Sequence, residues 1–230
     1  MWESIAQTRR LIASGQRLVL YDRCREVEKD PDGHLDLWAR EHYKSTIITF
    51  AGAIQEILRN PEITIGIFSH TAPHAKKFLS QVKGELETNT RFQALFPDVL
   101  YARPDKESPL WSVEKGIVVK RKSNPKEATV EAHGLVDGQP IGAHFQLLIY
   151  DDVVVPASVS TPEQVKKTTD MHALSDNLGA RGADGMKRSG TSAHATRSPT
   201  HTAICSSARC SSRACTRRPT MACATACRCS

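Results

Sequence analysis

No stretch of the chain approaches the roughly 18 uninterrupted apolar residues of a membrane-spanning helix. The start, Met1-Trp2-Glu3-Ser4, lacks a charged segment followed by an apolar run. These absences set the expectation of a globular, cytoplasmic chain. A third absence is local. Residues 189–230 contain no Leu, Val, Phe, Tyr, Trp, Asp, Glu or Lys. A segment almost without large apolar side chains cannot bury enough surface to offset the entropy of ordering it, so this tail is expected to be disordered.

The tail distorts the averages of the whole chain. It holds Cys205, Cys210, Cys215, Cys223, Cys227 and Cys229, six of the seven cysteines. Their spacing gives none of the paired Cys-x-x-Cys knuckles of a zinc site, and a secreted disulfide framework conflicts with a cytoplasmic body. The tail also holds Arg197, Arg209, Arg213, Arg217, Arg218 and Arg228; without these six the chain's 31 basic residues fall to 25, against 25 acidic ones. Residues 1–188 are therefore formally neutral, and the basic pI carries no argument for nucleic-acid binding.

What is present is enough for a core, since 40% of the residues are hydrophobic. Residues Glu3 to Gln16 read as a lead-in helix. The turn Asp30-Pro31-Asp32-Gly33 precedes a strand from His34 to Ala39. A helix then runs to Leu58 with Ile47, Ile48, Ala51, Ile54 and Ile57 at helical spacing. Ile63 to Ser69 reads as a buried strand, and Thr71 and Pro73 open a helix carrying Phe78, Leu79, Val82 and Leu86. Shorter strands are expected at Gly116 to Arg121 and Ala128 to Ala132, and another from Phe145 to Tyr150. Thr161, Pro162 and Gln164 then match the start of a capped helix. Alternation of strand and helix predicts an α/β domain with a parallel sheet flanked by crossover helices.

Two segments carry chemistry. Lys44 and Ser45 stand where a strand gives way to a helix, the junction at which backbone N–H groups, a lysine and a hydroxyl hold phosphate and Mg²⁺ in a P-loop. Trp38 and Tyr43 occupy the places of that motif's two glycines. About a hundred residues later, an apolar run ends in Asp151-Asp152, the pattern of a Walker B strand whose first acid holds Mg²⁺ and whose second polarises water. Singly, the first segment also fits a capped helix start and the second a strand end with two solvated acids. Together, in this order, they point to a P-loop ATPase. Histidines 42, 70, 74, 133 and 144 form no tight ligand pair, and His70 and His74 straddle Pro73, so core or solvated histidines are expected.

The residues from Leu37 to Thr46 resemble the glycine-poor Walker A of phage terminase large subunits, in which an arginine early in the loop is usual. Glu127 to Gly134, Gly142-Ala143-His144-Phe145 and Leu148 to Asp152 are similar to that family's approach to Walker B. The resemblance spans about residues 30–188. It implies an ASCE-type P-loop NTPase, a motor that hydrolyses ATP to drive viral DNA into procapsids. By the same resemblance, Lys44, Ser45 and Thr46 line the phosphates, Arg40 contacts the γ-phosphate as a sensor or internal arginine finger, and Ser45 and Asp151 hold Mg²⁺. Asp152 is the implied catalytic acid. Many terminases carry Glu there, and Asp draws the carboxylate back by about one C–C bond, ~1.5 Å. ATP and Mg²⁺ are the implied cofactors, and double-stranded DNA, a portal protein and a terminase small subunit the implied partners, in an oligomer within the host bacterial cytoplasm. Other readings are a different P-loop DNA translocase or helicase, or a non-enzymatic remnant.

Moving the reading frame of the tail back by one base fixes two letters of every new codon. Over Gly190 to Cys205 this permits text containing Gly-Thr-Arg, similar to the terminase coupling region, and over Met221 to Cys229 it permits Asp-Gly-Leu-Arg-Asp-Gly-Val-Pro-Val. The hypothesis is a frame change near Arg188 or Ser189, leaving residues 1–188 as an incomplete ATPase domain without the nuclease domain, a defective truncated copy expected to bind nucleotide poorly and not to package DNA. A nucleotide sequence with no such alternative frame would refute it.

Overall fold

The computed structural model describes residues 17–29, 35–36, 43–180 and 188–192. The lead-in helix expected over residues 3–16 lies outside them. Helix α1, Arg17–Lys29, was not expected from the apolar pattern. Its exposed face carries the i,i+3 pairs Arg23–Glu26 and Arg25–Glu28. Glu28 also accepts from Gln55 at 2.8 Å, which ties α1 to the next helix.

That helix, α2, starts after Lys44 as a π-helical segment, Ser45–Ala51, and continues as regular α-helix, Gly52–Arg59. The i→i+5 bond from Gly52 N to Ile47 O marks the wider turn. Thr46, Ile47, Ile48 and Thr49 are consecutive β-branched residues, whose crowding against the preceding turn weakens the α form. Strand β2, Ile65–Ser69, is buried along its whole length. Helix α3, Ala72–Thr88, turns Ala75, Leu79, Val82 and Leu86 inward at helical spacing. Short helices α4, Thr90–Leu95, and α5, Pro104–Glu107, follow. Next come strands β3 (Trp111–Ser112), β4 (Gly116–Ile117), β5 (Val130–Gly134) and β6 (Leu147–Asp151), then helix α6, Pro162–Ser175. Strands β1, Leu35–Asp36, and β7, Arg188–Ser192, complete the sheet.

The seven strands lie in the order β1-β7-β6-β2-β5-β4-β3. Five of them run parallel, but β4 pairs antiparallel with both β5 and β3. The sheet is therefore mixed, which corrects the expectation of a parallel one. The reason is the connection: β3 and β4 are joined by a tight turn and β4 and β5 by a loop, and neither joint has the crossover helix that parallel pairing requires. The strand expected over 116–121 also stops at Ile117. Beyond it the backbone finds other partners, Val118 N donating to Leu110 O and Lys120 N to Val99 O, both at 2.9 Å. Strand β7 crosses the composition break: Ser189 to Ser192 pair with Leu148 to Asp151, so the first residues assigned to the tail belong to the sheet. Residues 193–230, the rest of the expected disordered segment, lie outside the described residues.

The sheet separates two cores. On one face α2 and α3 bring Ile54, Ile57, Leu79 and Val82 against Ile65, Ile67 and Ile149. On the other, Phe68, Phe145, Leu148 and Tyr150 pack with Val153 and Leu178. Each fully buried Ile, Leu or Phe of this kind contributes about 1.5–3 kcal/mol of transfer free energy.

Candidate functional site

Neighbouring parallel strands β2 and β6 send their chains in opposite directions. From β2 the chain enters α3 on the Ile67 face and goes on toward β5; from β6 it enters α6, whose His172 packs on Tyr150 on the other face, and continues to β7. Connections that part in this way leave a crevice at the carboxyl ends of the two strands, where open α/β sheets bind ligands. Side-chain alternation decides which groups face it. Phe68 and Tyr150 are register partners and stack on one face, with ring centroids 5.4 Å apart. Ser69 and Asp151, one residue further along each strand, therefore turn to the opposite face, the one covered by α2.

Asp151 is fully buried there. Thr49 Oγ1, 102 residues earlier in the chain, donates to its Oδ2 at 2.8 Å. Lys44 Nζ stands 3.2 Å from Asp151 Oδ1 and 3.8 Å from Asp152 Oδ1, with the lysine side chain only 3% exposed. The Lys44 contacts are ion pairs by distance, yet neither Lys44 Nζ nor Asp151 Oδ1 meets the angular requirement of a hydrogen bond. The attraction is in place while the directed bonding capacity of the ammonium remains unspent. Removing one partner of such a buried pair typically costs about 3–5 kcal/mol, because the other charge is left uncompensated.

Two further buried atoms without a hydrogen bond lie at the same edge: Ser69 Oγ and His70 Nδ1. The strands still run side by side here, since His70 N donates to Asp152 O at 3.3 Å. Helix α3 opens two residues on, and the side chain of its N-cap, Thr71, makes no capping bond. The backbone is unusual at the same place. Among the described residues, Tyr43 at φ 60° and Asp152 at φ 50° are the non-glycine residues with positive φ, and each adjoins one member of the Lys44–Asp151 pair. Conformations of this kind cost about 1–3 kcal/mol and collect at functional sites.

The structure thus brings Lys44, Asp151 and Asp152 together. Ser45 and Thr46 are half-buried in the first turn of α2, and the hydroxyl bonded to Asp151 is that of Thr49 rather than Ser45. Arg40 and His42 lie outside the described residues. Two other histidines singled out in the sequence have polar partners: His133 Nε2 sits 3.1 Å from Glu131, and His144 N donates to Glu127 at 2.9 Å. Sequence reasoning missed Thr49, Ser69 and His70. Thr49 follows Ser45 at helical i,i+4 spacing on an otherwise apolar face, a signal that was available; Ser69 and His70 gain meaning only through strand register.

Among the described residues no three His, Cys, Asp or Glu side chains cluster as a metal cage. Mg²⁺ does not need one, because it is commonly held by one or two carboxylates with water and substrate phosphates. A cavity of about 430 Å³ opens at the opposite edge of the sheet between Glu62, Thr64, Glu127, His144 and Gln146. Its polar groups satisfy one another: Glu62 accepts from Lys122 N at 2.5 Å and Ser123 N at 3.0 Å, and Gln146 N donates to Thr64 Oγ1 at 3.1 Å. Lys44 Nζ, Ser69 Oγ, His70 Nδ1 and Asp151 Oδ1, buried without hydrogen bonds, gather instead at the β2–β6 edge. None of the described helices is long and apolar enough to cross a membrane. In comparisons with known proteins, no family model and no curated protein matches the chain.

Proposed function

We propose that this chain is the ATP-binding and ATP-hydrolysing motor domain of a phage terminase large subunit, an ASCE-type P-loop NTPase acting on double-stranded DNA with a portal protein and a small subunit. The observation that carries the reading is the buried approach of Lys44 Nζ to Asp151 Oδ1, 3.2 Å apart, at the carboxyl edge of the sheet. A lysine at a helix start and an acid at a strand end, far apart in sequence, meet at one edge of the sheet, as the two ends of a Mg²⁺–triphosphate site would. One parallel strand, β7, separates β1 from β6, in keeping with the ASCE type.

The residues fit the implied ligand. Lys44 Nζ has donors free of hydrogen bonds for a terminal phosphate, and Asp151 offers Oδ1 while Thr49 fixes Oδ2. When bound, Mg²⁺ supplies charge neutralisation between the β- and γ-phosphates. Asp152, 28% exposed beside Asp151, would be the acid next to the reacting water, and by the resemblance Arg40 would contact the γ-phosphate and Ser45 the metal.

The test is titration of the purified chain with a fluorescent, non-hydrolysable ATP analogue, with and without Mg²⁺. Wild type is expected to bind in a Mg²⁺-dependent manner. Lys44→Ala is expected to weaken binding about 10–100-fold, the range for losing a charge-assisted hydrogen bond. Lys44→Met, which keeps the packing of the stem, checks that the loss is not one of folding. Equal affinity in wild type and both variants would reject the proposal and favour a purely structural ion pair.

A further inference from the structure

We propose that the end of β2, Ser69 and His70, forms a second wall of this site that senses the terminal phosphate and lets the chain tell a nucleoside triphosphate from a diphosphate. The inference rests on the nucleotide reading above but concerns residues that reading does not use. Ser69 is fully buried, and its Oγ has no hydrogen-bond partner; the same is true of His70 Nδ1. A buried hydroxyl left unbonded is unfavourable, and natural folds keep few of them. Here it lies on the strand next to Asp151 and on the same face, the two backbones being one strand spacing, about 4.8 Å, apart.

Charge decides which part of the ligand belongs there. The β6 side carries the carboxylates Asp151 and Asp152 and suits a cation. The β2 side carries a hydroxyl, an imidazole and the start of α3, whose dipole favours an anion, while Pro73 has no N–H and His74 N and Ala75 N donate to Thr71 O at 3.1 Å. In a bound metal–triphosphate, Asp151 would hold the metal, and Ser69 and His70 would meet the outermost phosphate. A diphosphate lacks the group that reaches them.

The experiment measures affinity, by titration, for a non-hydrolysable ATP analogue and for ADP, both with Mg²⁺, in wild type, Ser69→Ala, His70→Ala, the double variant and Lys44→Met. The double variant is expected to lose about 10-fold or more in triphosphate affinity, with ADP affinity unchanged. His70→Asn, which keeps a hydrogen-bonding group near Nδ1, is expected to recover part of that loss. Ser69→Ala is expected to melt at or above the wild-type temperature, because the hydroxyl it removes has no partner to lose. Unchanged triphosphate affinity in the double variant, an equal loss for both nucleotides, or a clear drop in the melting temperature of Ser69→Ala would each overturn the inference. Lys44→Met separates the two levels. If it binds like wild type, the nucleotide reading itself fails; if it weakens binding while the double variant does not, only the sensing role fails.

Discussion

Tyr43, next to Lys44, has a φ of 60°, a conformation that a glycine would adopt without steric cost. A tyrosine held in that conformation is under strain. Its backbone O still accepts from Ile47 N at 2.9 Å, so the strained residue anchors the first turn of α2 and with it the stem of Lys44. This makes a prediction in which an ordinary ranking reverses. In a helix interior Gly is less stable than Ala by about 1 kcal/mol. At position 43, Tyr43→Gly is expected to be more stable than Tyr43→Ala by about 1 kcal/mol, since both delete the ring and only Ala retains the clash. Urea denaturation of the two variants measures the difference, and the usual order, Ala above Gly, would show that the left-handed conformation is not imposed.

Elements whose burial is uniform were the most legible. Ile65 to Phe68 and Leu147 to Tyr150 read as continuous apolar runs because parallel strands are covered on both faces. The start of α6 was also legible, since Gln164 N donates to Thr161 Oγ1 at 3.3 Å; the glutamine side chain, however, accepts from Ser160 instead of closing the capping box. The π-helical start of α2 was not legible. Apolar spacing there fits an ordinary helix, and the wider turn arises from crowding among β-branched neighbours. Nor was the end of β4, which the tertiary partners Leu110 and Val99 decide. Within β2, Gly66 shows how closely the central strand is packed: a Cβ there would lie 2.7 Å from Phe145 and 2.9 Å from Phe68. Both contacts are ring atoms held in a buried cluster, with the two rings 6.3 Å apart edge to face. Gly66→Ala is therefore expected to destabilise the fold by about 1–3 kcal/mol through overpacking, despite the better intrinsic propensity of Ala. A melting temperature equal to wild type would mean that the aromatic layer yields more easily than its packing suggests.

Across the whole molecule the sheet divides two chemistries, and only one was visible in the sequence. Lys44 and Asp151 stood out because each follows a local pattern, whereas the face behind them is built by residues that meet only in three dimensions. There Tyr150 stacks on Phe68 and on His172, 4.8 Å between centroids in the latter pair, and its hydroxyl meets Ser175 Oγ at 2.7 Å. His172 Nε2 is buried without a hydrogen bond, and burial holds the imidazole below its ordinary pKa of 6.5, against a smaller upward pull from Asp176. A depressed histidine pKa means that below 6.5 the unfolded chain binds a proton that the folded chain refuses. Stability must then fall as pH drops below 6.5, and the fall stops once pH passes the folded-state value. The carboxylates act in a lower window. Glu87, lowered by its bonds to Lys83 and then Trp111, contributes stability that is lost only as pH falls through its depressed pKa, below the ordinary value of 4.5. His172→Phe keeps an aromatic ring on Tyr150 and removes the titrating group. Urea unfolding between about pH 7.5 and about pH 5.5 is expected to show wild type losing stability while the variant loses distinctly less. Parallel losses in the two proteins would assign the acid sensitivity to a different group.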